Sequence, residues 1–151
     1  MATVAPPKAY TLHLPRDPRA PRIARSTLRG VLQVHRMNDL IDTAELLASE
    51  LVTNAHLHST GVYTLLISTR EPRRLRIGVC DGNPDIPSPF GEAFSRSPGP
   101  GAELAENGRG LQLVQIYADA WGAYRLGGAR WGHGGKLLWV ECVHKVPGTS
   151  V

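Results

Sequence analysis

The sequence predicts an α+β fold, a two-layer α/β sandwich with its helices gathered on one face of a sheet. Three observations predict it. Strand-like apolar runs come in adjacent pairs joined by short turns, which implies antiparallel pairing. Three stretches carry apolar residues at helical spacing. The order of segments, β-α-α-β-β-loop-α-β-β, separates helix-rich from strand-rich blocks, and stacking one on the other buries both apolar faces. The chain has 151 residues, 42% hydrophobic and 20% charged. That is one domain's worth of chain, large enough to bury a core and too apolar to stay disordered.

Residues 1–9 read as a loose N-terminal arm, 10–143 as the folded domain and 144–151 as a short polar tail. Tyr10–Leu14 alternates like a strand. From Pro18 to about Val34, Ala20, Ala24, Leu28, Val31 and Leu32 share one side of a helix, and Arg22, Arg25 and Arg29 another. These arginines are either a solvated face or a docking surface for an acidic partner. A second helix runs from Asp42 to about His58, with Asp42 and Glu45 spaced as a capping box. Strands are expected at Val62–Ser68 and Leu75–Cys80, around a charged turn containing Pro72. Residues 82–110 shift to Gly, Pro and Ser without apolar periodicity, and a loop that long in a compact domain is usually functional or disordered. Leu111–Trp121 then reads as a helix, and Ala123–Leu126 and Lys136–Val143 as strands around a glycine-rich turn.

No apolar run approaches the ~18 residues a membrane helix needs. Prolines within Met1–Pro18 occupy the place of a signal peptide's apolar stretch. The expectation is a soluble cytoplasmic domain. The formal net charge of +4 suits an anionic ligand or partner without choosing one. Cys80 and Cys142 form neither a CxxC pair nor a zinc-ligand spacing and read as reduced, buried thiols.

Four local features carry candidate chemistry. On the second helix, at about 100° per residue, Leu47, Ala48, Leu51, Val52 and Ala55 sweep the core face, while Ser49, Thr53 and His56 form a wet face. Glu50 and Asn54 fall between them, beside Leu46 and Leu57. A carboxylate and an amide one turn apart among leucines either floor a polar pocket or mark a helix edge that reaches water. An amide oxygen is a hard ligand that magnesium accepts, and a carboxylate beside it can take a proton from a hydroxyl. The second feature is Asp81 at a strand end before Gly82-Asn83-Pro84, which either receives an exocyclic amine or makes a turn. Gly108-Arg109-Gly110-Leu111 before a helix is either an anion cradle or a loop ending. Gly134-Gly135-Lys136 is the fourth, and its plain alternative is a hairpin turn.

Other motifs fail on spacing. Arg130 and Leu137 break the P-loop pattern around Gly135-Lys136, Leu113 stands where a dinucleotide fingerprint needs its third glycine, and neither GxSxG nor HExxH occurs. His56 and His58 lie two apart on a helix, a poor metal pair, and suit the C-terminal dipole instead.

Taken together, the four features resemble the motifs of the GHKL ATPases, most closely the bacterial anti-sigma-factor serine kinases. Glu45-Leu-Leu-Ala-Ser-Glu50-Leu-Val-Thr-Asn54-Ala resembles their N-box and Asp81-Gly-Asn-Pro their first glycine box. Glu106-Asn-Gly-Arg-Gly-Leu-Gln-Leu-Val resembles the second box, and Gly134-Gly-Lys-Leu-Leu-Trp139-Val-Glu141 the terminal strand motif. The resemblance covers roughly residues 10–143, and the intervals Asn54–Asp81 and Asp81–Gly108 are equal.

The resemblance implies a Bergerat-type ATP-binding fold, with a mixed sheet and helices on one face. It implies ATP and Mg²⁺ as cofactors, with Asn54 holding the metal, Glu50 as the catalytic base and Asp81 binding the adenine amino group. Gly108, Arg109, Gly110 and Leu111 would cradle phosphates, Asn83 and Lys136 would belong to the nucleotide-binding set, and Ser88 to Asn107 would form a mobile lid. Two positions depart from the family pattern. Asn83 replaces a glycine, although Asn tolerates a left-handed backbone better than most residues, and Leu137 stands where relatives often carry a hydroxyl residue.

The implied function is an ATP-binding protein serine kinase that phosphorylates an anti-sigma-factor antagonist of STAS type, sequesters a sigma factor, or both. Relatives often form homodimers. The alternative is a partner-switch regulator that binds ATP without turning it over. A nucleic-acid module, suggested by Arg19, Arg22, Arg25 and Arg29, lacks the interleaved aromatics of a single-strand binder.

Overall fold

The computed structural model describes residues 8–70, 73–91, 109–127 and 134–144. In chain order these form β1 (Lys8–Leu14), α1 (Ala20–Val34), a 3₁₀ turn (Asn38–Leu40), α2 (Ile41–His58), β2 (Tyr63–Arg70), β3 (Arg74–Asp81), α3 (Arg109–Tyr117), β4 (Ala120–Leu126) and β5 (Gly135–Val143). The strands make one sheet in the order β1-β2-β3-β5-β4. The fold is the α+β two-layer sandwich expected from the sequence. Every described pairing is antiparallel, as the short turns implied, in place of the mixed sheet that the resemblance implied. The physical reason lies in strand order. β4 follows the crossover helix and runs parallel to β3, but the hairpin return inserts β5 between them, so no parallel pair forms.

Strand alternation sends Leu65 and Ile67, Leu75, Ile77 and Val79, and Leu138, Val140 and Cys142 to one face, where they meet the buried stripes of the helices. α1 buries Ala20, Ala24, Leu28 and Leu32, as its spacing predicts. It ends with Arg36 in the left-handed region at φ 58°. Hydrogen bonds from Arg36 N to Gln33 O (3.2 Å) and Met37 N to Leu32 O (2.8 Å) close a Schellman turn that buries Met37. On the arginine face, Arg29 reaches Glu45 of α2 at 2.8 Å, and Arg19 pairs with Asp17 at 3.0 Å. Two of the four cations that suggested a polyanion surface are therefore engaged within the fold.

Several boundaries differ from expectation. The capping box does not form. The 3₁₀ turn delivers the chain to α2 already helical at Leu40, so Asp42 falls inside the helix and Glu45 turns to Arg29. Lys8 and Ala9, expected in the arm, extend β1 opposite Thr69 and Ser68. The helix expected to reach Trp121 stops at Tyr117. Asp119 N then donates to Glu141 O and Asp119 Oδ2 accepts from Val143 N, both at 2.8 Å, which starts the ladder that seats Trp121 opposite Val140. His144, expected in the tail, pairs with Asp39 at 2.6 Å.

Cys80 and Cys142 form no disulfide. Cys142 is buried, and burial, with Asp119 and Glu141 nearby, pushes its thiol up to about 12. It stays protonated and inert.

On the face of the sheet away from the helices, the Trp139 ring lies over Gly122, with the Arg76 guanidinium 4.1 Å from the ring centroid. A Cβ at position 122 would stand 2.6 Å from the ring. Gly122→Ala is therefore expected to displace the indole and destabilise the fold by about 1–3 kcal/mol. A urea titration followed by Trp fluorescence checks this, and an unchanged midpoint would show that the ring is free to move aside.

Candidate functional site

α2 carries the two central side chains, while Leu57, expected beside them, is exposed and Ser49 and His56 of the expected wet face are half-buried. Its buried face is Ile41, Ala44, Leu47, Ala48, Leu51, Val52 and Ala55, and Glu50 and Asn54 sit half-buried at the margin of that face. Removal from water raises the Glu50 carboxyl above its ordinary value. The Asn54 Oδ1 is fully buried and, among the described residues, accepts no hydrogen bond. An unsatisfied buried acceptor costs about 1–3 kcal/mol, and this oxygen has lone pairs that could take a donor or a cation. A neutral amide oxygen next to a carboxylate fits magnesium, which takes one or two protein oxygens and completes its octahedron with phosphate and water.

Helix packing brings a third group to the same level. The C-terminal end of α3 (Ile116, Tyr117) and the N-terminal end of α2 (Thr43) line one cavity of about 360 Å³, and the two helices are in contact. They run antiparallel. At about 1.5 Å rise per residue, Arg109 then stands roughly level with Glu50. The first turn of α3, with backbone N–H groups that have no partner inside the helix, faces the same end of the molecule as Asn54. Leu111 and Val114 are buried in the core, so Leu111 can meet an anion only through its backbone. Gly108 lies outside the described residues, and Arg109 and Gly110 are described as the backbone that opens α3.

The end of β3 is tied to α2 as well. Asn83 Nδ2 donates to the carbonyl of His58 at 2.7 Å, one helical turn beyond Asn54. Its Oδ1 accepts from Asp85 N at 2.9 Å, and its own N–H donates to Asp81 Oδ1 at 2.8 Å. Both ends of the Asn83 amide are thus engaged, one with the end of α2 and one within the loop. Arg125 Nη1 donates to the carbonyl of Pro84 at 3.1 Å, a further clamp on the loop. Asn83 does not use the left-handed backbone that its replacement of a glycine suggested; among the described residues other than glycine, only Arg36 does.

Asp81 lies directly opposite Lys136 in the β3–β5 register. The Lys136 ammonium reaches Asp81 Oδ1 at 3.0 Å and the Asn83 carbonyl at 3.0 Å, and both residues are 1% exposed. Sequence reasoning counted Lys136 among the nucleotide contacts and missed this pair. Its ammonium is turned into the fold, so Lys136 supports Asp81 instead of lining a cleft. The signal that could have found it is the period-two pattern Lys136-x-Leu138-x-Val140-x-Cys142, which puts an ammonium on the core face, where it requires a carboxylate.

An open cleft of about 500 Å³ adjoins these residues at the C-terminal end of α2, lined by His58, Ser59, Thr60, Gly61, Val62, Gly82 and Asn83. His56 contacts the Tyr63 hydroxyl at 3.3 Å. Of the expected lid, Ser88–Gly91 form a turn that buries Phe90 in the core, and residues 92–107 lie outside the described residues. No described helix is long and apolar enough to cross a membrane. Compared with known proteins, the chain matches no family model and no curated protein.

Proposed function

We propose that this chain is an ATP-binding domain of GHKL type, working as a protein serine kinase in a partner-switching system. Its partner would be an anti-sigma-factor antagonist, a sigma factor, or both. The observation that carries the reading is the buried Asn54 Oδ1, without a hydrogen-bond partner among the described residues and one helical turn from a half-buried Glu50 whose carboxyl is shifted up. Together they supply a metal-binding oxygen and a base on one stripe, level with a helix N-terminus suited to phosphate.

In this reading Asn54 would hold magnesium, which when bound neutralises charge on the triphosphate. The α3 N-terminus receives phosphate oxygens through its backbone N–H groups. Asp81 accepts a hydrogen bond from the base. Glu50 accepts the proton of the attacking serine hydroxyl, and its raised proton affinity makes it a better base than an exposed carboxylate. Phosphoryl transfer needs little more from the protein than this positioning and charge stabilisation.

A calorimetric titration with ATP, with and without magnesium, tests the reading. Saturable binding that requires magnesium is expected, with a change in Trp fluorescence, and no binding in either condition refutes it. Incubating the chain with ATP, magnesium and a candidate antagonist, then weighing the products, separates the two forms of the proposal. A phosphate added to the antagonist is expected of the kinase, and binding without transfer identifies the non-catalytic regulator.

A further inference from the structure

The buried pair Asp81–Lys136 has no packing rationale. It closes an inner row whose other cross-strand pairs are apolar, Val79 opposite Leu138, Ile77 opposite Val140 and Leu75 opposite Cys142. Replacing a buried ion pair by well-packed apolar residues is often neutral or stabilising, so an ammonium here calls for a reason beyond stability. Its two bonds, to Asp81 Oδ1 and to the Asn83 carbonyl, fix the carboxylate and the loop behind it in one geometry. Asn83 N–H takes the same oxygen. Among the described residues no hydrogen bond reaches Asp81 Oδ2.

We propose that Lys136 is a positioning residue that sets the base preference of this site. Paired with the ammonium, Asp81 is a carboxylate and offers lone pairs only, with Oδ2 left as the acceptor. Such a surface takes a base that presents an exocyclic amine and rejects one that presents a carbonyl at the same position, because two acceptors would then face each other. The inference rests on the ATP reading above and deepens it by assigning discrimination at the 6-position to the hold of Lys136 on Asp81.

The test uses ATP and inosine triphosphate, which differ at that one substituent and its neighbouring ring nitrogen. Their dissociation constants are measured by calorimetry for the parent chain and for Lys136→Met. The parent is expected to favour ATP by about tenfold to a hundredfold, the range of a hydrogen bond to a charged group. Lys136→Met is expected to bring the ratio close to one. A purely structural role would weaken both nucleotides together and leave the ratio in place. Should Lys136→Met fail to fold, Asp81→Asn with Lys136→Met removes both charges at once. The carboxamide then offers a donor and an acceptor, and a ratio near one is again expected. A variant that keeps the parental ratio, or a parent that binds both nucleotides equally, overturns the inference and leaves ATP binding standing. A parent that binds neither overturns the nucleotide reading and the inference with it.

Discussion

Asn54→Ala is expected to lower magnesium-dependent ATP affinity by about a hundredfold or more without lowering the melting temperature. The two halves of this result have separate causes. Among the described residues the Oδ1 atom accepts no hydrogen bond, so deleting it removes an unsatisfied acceptor instead of breaking a contact. Alanine is also the better helix former by a few tenths of a kcal/mol. A side chain kept for packing would show the opposite pattern, with stability falling and ligand affinity following it. Groups that serve a ligand at the expense of the fold commonly behave in the way expected here. Calorimetry with ATP and magnesium, beside a thermal melt of the ligand-free variant, reads both quantities. Parental affinity in the variant would remove Asn54 from the metal role, and a large drop in melting temperature would make it a structural amide.

The placement of Glu50 and Asn54 was legible because helical periodicity is local. Once Leu47, Leu51 and Ala55 define the core side, the angular positions of the other residues follow, although half-burial is shared by Glu50, Asn54, Ser49 and His56 alike. The antiparallel hairpins were legible for a similar reason, since short turns leave no other pairing. Missed features depend on partners far along the chain. Trp121 looked helical because it follows Val114 and Ala118 at helical spacing, yet the ladder to β5 captures it. The capping box had the right residues at the right spacing, but the preceding 3₁₀ turn and the reach of Arg29 from α1 redirected both carboxylates. Asp81 and Lys136 are 55 residues apart, and only the β3–β5 register makes them neighbours. Asn83 shows the same limit in a loop. A glycine-like backbone was expected from its type, whereas its amide is the reason it is suited there, bridging His58 and Asp85.

Glu50→Gln is expected to cut phosphoryl transfer to a partner serine by about a hundredfold to ten-thousandfold while sparing ATP affinity and slightly raising stability at neutral pH. The sign of the stability change follows from the upward shift of the Glu50 carboxyl, caused by desolvation, from an ordinary value of 4.5. The folded state favours the protonated form, so stability is lost as pH rises from that ordinary value through the raised one. Above this window Glu50 is ionised in both states and the loss is complete. Glutamine keeps the shape and cannot ionise, so its advantage grows across the window and is constant above it. Half-burial leaves much of the charge screened, and a rise of about 1 °C is the scale to look for. Melts of parent and variant at several pH values from 4 to 7 test the sign, because a variant less stable at neutral pH would mean that the ionised carboxylate makes a favourable contact. Transfer at the parental rate would place the base elsewhere. A fall in ATP affinity that matches the fall in transfer would make Glu50 a ligand-holding group, because a base acts on the proton of the hydroxyl and leaves the binding of ATP unchanged.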